Sequence, residues 1–238
     1  MHLRCVEIHS EKFPGKELYP FNLSVFRKTK RISFDTPTTF FVGENGTGKS
    51  TLLKALALKC GIQIWSGVER SRFERSPYEK SFHRFVRIEW TNGRVPGSFF
   101  ASEIFQNFAQ LLDEWATTDP GVLEYFGGSS LMTQSHGQSL MSFFQSRYQI
   151  KGLYLLDEPE TALSPRSQLN LMKLIRRASA AGHAQFVIIT HSPILLALPE
   201  ARIYSFDSAP VKPIDYEETE YYQVFKSFME DRKKYLDD

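Results

Sequence analysis

Leu3 to Ile8 alternates between apolar and polar positions with the period of two that predicts a half-buried strand, and Tyr19–Phe26 and Arg31–Phe34 are short runs of β type. Together they predict an antiparallel β flank ahead of the main core. Thr38-Thr39-Phe40-Phe41-Val42, Leu153-Tyr154-Leu155-Leu156 and Phe186-Val187-Ile188-Ile189 are unbroken apolar or β-branched runs, as expected of strands buried on both faces of a parallel sheet. Helical spacing follows the first of these over Thr51–Leu58. A strand-like Arg84–Trp90, the turn Asn92-Gly93 and Gly97–Phe100 predict a hairpin. From Ser102 to about Glu114 the spacing is helical again, with Ile104, Phe105, Phe108, Leu111 and Leu112 on one side and Gln106, Gln110 and Asp113 elsewhere. A glycine-rich turn at Gly127-Gly128-Ser129-Ser130 and a helical run from Leu140 to Tyr148 complete a small lobe, about residues 101–148.

The residues between the first buried strand and the first helix carry the most chemistry. Gly43-Glu44-Asn45-Gly46-Thr47-Gly48-Lys49-Ser50 fits G-x-x-x-x-G-K-[ST], the loop that wraps a polyphosphate with backbone N–H groups at the positive end of a helix. Lys49 is then expected to reach the β- and γ-phosphates and Ser50 to ligate Mg2+, with Thr51 beside it. A second strand, Leu153–Leu156, ends in Asp157-Glu158. Two carboxylates on successive residues point in different directions from a strand end, so they can take different tasks: Asp157 holding the metal ion, Glu158 polarising the attacking water. The expected ligands are therefore a nucleoside triphosphate and Mg2+, and the expected reaction is hydrolysis at the γ-phosphate.

Composition limits the alternatives. A chain of 238 residues, 42% hydrophobic, is long enough for one large α/β core. The net charge of +2 is uninformative, but residues 1–100 carry 17 basic and 9 acidic side chains (+8) and the remainder 12 and 18 (−6). Such halves can attract each other within the fold or between protomers. Cys5 and Cys60 form no C-x-x-C pair and suggest a reducing, cytoplasmic setting. The first residues lack a signal-peptide core, and no run approaches the ~18 apolar residues of a membrane span, so direct membrane insertion is not expected.

Ser135-His136-Gly137-Gln138, just before the Leu140 helix, resembles the S-G-G-Q signature of the ABC-type ATPase superfamily, with His136 in place of a glycine. The order of motifs strengthens the likeness, because Thr190-His191-Ser192 follows the last buried strand where that superfamily has its switch histidine. Phe41–Leu53 and Leu156–Pro165 resemble the wording of small stand-alone ATPases of the soluble SMC/RecF-like branch, and Tyr216–Tyr235 resembles their tyrosine-rich C-terminal segment. The resemblance implies an α/β P-loop NTPase fold with a central mostly parallel sheet, an antiparallel β flank and a small helical lobe. It implies one domain over residues 1–238, with a C-terminal helical tail at about 216–238. It further implies an ATP-dependent head-to-tail homodimer, in which Ser135, Gly137 and Gln138 of one subunit cap the nucleotide held by the phosphate loop of the other. Thr161-Ala162-Leu163-Ser164 would cross that interface, with Ser164 where the family often has Asp. His191 would contact the γ-phosphate or the attacking water, completing with Lys49 and Glu158 the catalytic set.

Several assignments stay open at this level. The glutamine that usually leads into the helical lobe is missing, and Glu103 resembles the residue such ATPases carry there as a metal-site group, with Gln106 a second candidate one turn on. Tyr19, Phe21 and Phe26 are alternatives for an adenine platform. Arg70, Arg72 and Arg75 suit phosphate, nucleic acid or plain solvent. The leading function is a soluble ATP-hydrolysing switch or motor for a separately encoded effector protein or a nucleic acid. The alternatives are a nucleotide-binding subunit of a membrane transporter and an ATP-gated DNA clamp. The resemblance implies ATP rather than GTP as the nucleotide, and no guanine-reading N-K-x-D motif is present.

Overall fold

A computed structural model describes residues 1–64, 78–126, 128–133 and 136–236, without the side chains of Gln106 and His136. Arg70, Arg72, Arg75, Gly127 and Ser135 lie outside the described residues. In chain order the strands and helices are β1 (Leu3–Ile8), α1 (Ser24–Lys28), β2 (Arg31–Ser33), β3 (Thr38–Val42), α2 (Lys49–Cys60), β4 (Val86–Trp90) and β5 (Gly97–Ala101). They continue as α3 (Ser102–Thr118), α4 (His136–Arg147), β6 (Gly152–Asp157), α5 (Pro165–Ala180), β7 (Ala184–Ile189), α6 (Pro193–Leu196), β8 (Arg202–Ser205), β9 (Lys212–Ile214) and α7 (Glu220–Glu230).

A central sheet of order β5-β6-β7-β3-β8-β9 is parallel from β5 to β8, with β9 antiparallel at the edge. A second, antiparallel sheet has the order β2-β1-β4. The apolar runs read from the sequence divide by the two-residue period of a strand. Phe41, Leu153, Leu155, Val187 and Ile189 join one core with α2 and the antiparallel sheet. Phe40, Val42, Tyr154, Leu156, Phe186 and Ile188 join a second core under α3 to α6. Burying each such side chain contributes about 1.5–3 kcal/mol, enough to fix the register of the strands that end at the site. Gln185, wholly buried on β7, ties the sheets together: its Oε1 accepts from the N–H groups of His2 and Leu3 at 2.7 Å each, and its Nε2 donates to Leu3 O at 2.9 Å.

Two local expectations are corrected. Tyr19–Phe26 is not a β run but a turn leading into α1. Phe21, Val25 and Phe26 are all buried, the i, i+4, i+5 spacing of a helical face, and Pro20 could donate nothing to a strand ladder. The segments around Asn92-Gly93 are not a hairpin either. β4 pairs antiparallel with β1, whereas β5 pairs parallel with β6 from Gly97↔Leu153 to Ala101↔Asp157, so the turn carries the chain from one sheet to the other. Phe99 and Phe100 face opposite sides and are both buried, which a covered parallel sheet satisfies and a half-solvated hairpin does not. No helix among the described residues is long and apolar enough to cross a membrane.

Candidate functional site

The register brings the chemistry-bearing strand ends into line. Ala101 pairs with Asp157, Asp157 with Ile189 and Ile189 with Phe41, so the segments that follow β5, β6, β7 and β3 leave the sheet along one edge. From β3 the chain enters the loop 43–48, and α2 begins at Lys49. Gly48 has φ +101°, and a Cβ there would stand 2.7 Å from the Phe26 ring and 2.9 Å from Leu23, so glycine alone lets the loop settle on α1. At Gly43 (φ +138°) the room a side chain would take is filled by Asp207, whose Oδ1 accepts from the Glu44 N–H at 2.7 Å. Glu44, Asn45 and Gly46 are exposed along the loop's crest, and Thr47 closes it by donating to Glu44 O at 2.8 Å.

Lys49 is buried, and its Nζ donates to Gly43 O at 2.5 Å and Glu44 O at 2.7 Å. Burial lowers its pKa, against the raising effect of Asp207, Glu158, Asp157 and Glu44. The ammonium is thus parked on two carbonyl oxygens at the positive end of α2, where a more anionic partner would displace them. Thr51 is buried, with its hydroxyl bonded to that of Tyr19.

Ser50 donates from Oγ to Asp157 Oδ1 at 3.2 Å. Asp157 is only 8% exposed, and burial pushes its pKa up from 3.8 to about 6, helped by the Glu158 charge and opposed by the Ser50 hydrogen bond and Lys54. A carboxylate disfavoured in its charged form by burial is one that a cation would stabilise, and the neighbouring hydroxyl supplies a second oxygen. Glu158 has φ +50°, a left-handed conformation costing a non-glycine residue about 1–3 kcal/mol. The surroundings over-determine it: its N–H donates to Ile189 O at 3.0 Å, and its carbonyl accepts from Ser102 Oγ at 2.5 Å and Thr161 Oγ1 at 3.1 Å. With the backbone so turned, Glu158 Oε1 lies 3.1 Å from His191 Nε2. His191 donates its backbone N–H to Glu160 Oε1 at 2.6 Å, and its Nδ1 lies 2.5 Å from Tyr221 Oη.

A cleft of about 440 Å³ opens here, lined by Tyr19, Lys49, Ser50, Asp157, Glu158 and Thr161 among others. Glu103, exposed in the first turn of α3, also lines it and acts on Asp157 as a nearby negative charge. Of the three aromatic candidates, Tyr19 borders the cleft, whereas Phe21 and Phe26 are fully buried among Phe82 and Phe85. Gly137 and Gln138, in the first turn of α4, do not line the cleft of their own chain, and Gly137 instead packs toward Ala162 O, with a Cβ position 3.3 Å away. Ser164 accepts from Ser167 N at 3.2 Å and caps α5, which is the local work that its small polar side chain does. A second, aromatic-lined cavity of about 260 Å³, bordered by Phe105, Phe108 and Trp115, is lined by none of the predicted site residues among the described residues.

Sequence reasoning missed four groups at this edge: Lys54 beside Asp157, Asp207 behind the phosphate loop, Glu160 under the histidine N–H, and Tyr221 on its ring. Lys54 falls one helical turn beyond Ser50, a spacing that could have revealed it. Asp207 and Tyr221 come from segments 163 and 30 positions away from their partners, with no motif to connect them.

A glycine-turned phosphate loop with a buried lysine, facing a strand-end carboxylate pair on a parallel sheet, defines a P-loop NTPase. Comparison with known proteins refines the class. Residues 20–106 match a family described as "AAA domain", and residues 139–197 one described as "AAA domain, putative AbiEii toxin, Type IV TA system". The hemin import ATP-binding protein HmuV of Rhodopseudomonas palustris (strain BisB5) is 30% identical over 167 residues, 62% of each chain. The matched region thus spans less than two thirds of that curated relative. In fold, the chain is similar to an inward-facing metal-chelate type ABC transporter structure (TM-score 0.55, 18% identity, 94% of this chain and 88% of that one). It is also similar to the SMC head domain from Thermotoga maritima (TM-score 0.50, 17% identity, 90% and 100%). The chain has the fold of a P-loop NTPase, and these likenesses support a place in the ABC-type ATPase superfamily.

Proposed function

We propose that the protein binds Mg-ATP in the cleft at Lys49 and hydrolyses it, cycling between a monomer and a head-to-tail homodimer that acts as a cytoplasmic switch for a separate effector protein or nucleic acid. The observation that carries this reading is the convergence of Lys49, the Ser50–Asp157 pair and the Glu158–His191 pair at one sheet edge. In the proposed cycle Lys49 exchanges the carbonyls of Gly43 and Glu44 for phosphate oxygens, and the N–H groups of residues 43–51 cradle the remaining charge. Ser50 and Asp157 are the groups that would hold Mg2+, with Glu103 at the rim, and the bound ion would supply charge neutralisation for the phosphates. Glu158, whose side chain is 42% exposed, orients the attacking water and takes its proton, with His191 steadying the carboxylate from behind. Gly137 and Gln138, which lie outside their own cleft, are assigned together with Ser135 to the partner subunit's nucleotide. The whole chain then works as one ATPase head, with residues 101–148 as its lobe and 216–238 as its tail.

Transporter ATP-binding proteins among the relatives favour a second reading, a nucleotide-binding subunit. Co-purification with a membrane protein would support it, whereas salt-dependent retention of DNA would favour the clamp. The deciding experiment is light scattering of wild type and Glu158→Gln with and without Mg-ATP. The substituted protein should bind without hydrolysing and shift from 27.5 kDa to about twice that only with nucleotide. A monomer with ATP demonstrably bound would rule out the trans-acting role of Ser135 and Gly137.

A further inference from the structure

α7 reaches the site through one side chain. Tyr221, half-buried near its start, sets its ring edge-on to the His191 imidazole, with centroids 5.1 Å apart. Its hydroxyl lies 2.5 Å from His191 Nδ1 and 3.2 Å from Gly43 O, the carbonyl that also accepts from Lys49 Nζ. One residue therefore joins the histidine to the first residue of the phosphate loop.

The proton count decides what this contact does. A neutral imidazole has one N–H and one bare nitrogen. Nε2 faces the Glu158 carboxylate, which only accepts, so the ring proton belongs on Nε2 and Nδ1 needs a donor. The carboxylates nearby act as acceptors and give Nδ1 no donor: Glu158 faces Nε2, Glu160 Oε1 accepts from the His191 backbone N–H, and Asp207 Oδ1 accepts from that of Glu44. The Tyr221 hydroxyl supplies one. Turned to Gly43 O instead, it would leave a neutral ring with its proton on Nδ1 and two bare acceptors, Nε2 and Glu158 Oε1, facing each other at 3.1 Å; only a doubly protonated ring would fit that alternative, and the ring-nitrogen resonances distinguish the two. Burial pushes the Tyr221 pKa up to about 12, so the phenol keeps its proton.

We propose that Tyr221 is a positioning residue for hydrolysis: its hydroxyl donates to His191 Nδ1, holds the ring in place and reserves the Nε2 proton for Glu158 and the reacting groups beyond it. The proposal rests on the ATPase reading above, and its test separates the two. Tyr221→Phe keeps the ring contact and removes only the hydroxyl. It should lower kcat about five- to tenfold, the equivalent of one neutral hydrogen bond, with the KM for ATP changed less than twofold. In a His191→Ala background the same substitution should add no further loss. In 15N-labelled, nucleotide-free protein, the His191 Nδ1 resonance should move on Tyr221→Phe while the ring proton stays on Nε2. An unchanged kcat in an active enzyme, an unmoved Nδ1 resonance, or an equal loss in the His191→Ala background would each overturn the proposal. A wild type that neither binds nor hydrolyses ATP would defeat the ATPase reading alone, and the Nδ1 resonance would still decide the tyrosine–histidine contact.

Discussion

Asp157 carries a cost in the nucleotide-free fold that its removal should reveal. Burial raises its pKa from 3.8 to about 6, so the folded protein holds this proton more tightly than the unfolded chain. The associated stability is therefore fully present below about pH 4 and is lost as pH rises through 6; two pKa units correspond to about 3 kcal/mol. Asp157→Asn removes the charge and keeps an oxygen to accept from Ser50. The raised pKa already includes the Ser50 hydrogen bond, so the substituted protein should be about 3 kcal/mol more stable than wild type at pH 8. For a chain of this length that is a Tm higher by about 6–12 °C. Near pH 4 the two proteins should melt together. The assay is paired thermal unfolding from pH 4 to 8 in the presence of a chelator, followed by the same comparison with Mg-ATP, where wild type alone should gain. A less stable Asp157→Asn protein at pH 8, or an offset that does not change with pH, would refute the argument.

Lys49→Met should weaken ATP binding at least 100-fold by removing charge-assisted contacts worth about 3 kcal/mol, while leaving the fold intact; isothermal titration measures it. Gly48→Ala should destabilise the protein by about 2–4 kcal/mol, because φ +101° and a Cβ 2.7 Å from the Phe26 ring cannot both be relieved, as chemical denaturation would show. Gln185→Leu strands the N–H groups of His2 and Leu3 and the carbonyl of Leu3 away from water, and should cost about 2–5 kcal/mol in urea unfolding. Equal stability of that variant and wild type would mean that the sheets are joined by packing alone.

The sequence by itself determined the phosphate loop and the three buried strands that end at the site. A phosphate loop is contiguous, its glycines answer to backbone conformation, and fully buried strands must be apolar throughout, so Thr38–Ser50, Leu153–Glu158 and Phe186–His191 declared themselves one segment at a time. Only the tertiary structure decided which sheet each strand enters. Gly97–Ala101 reads as half of a hairpin until β6, more than 50 residues on, supplies the edge that buries both Phe99 and Phe100. It alone decided the electrostatics as well. The raised pKa of Asp157 comes from burial under surrounding elements, and the hydrogen-bond partners of His191 come from Glu158, Glu160 and Tyr221 on two separate segments. Local propensity and motif spacing are properties of neighbouring residues, whereas desolvation and hydrogen-bond completion depend on whatever the fold brings alongside, and that information is spread over the whole chain.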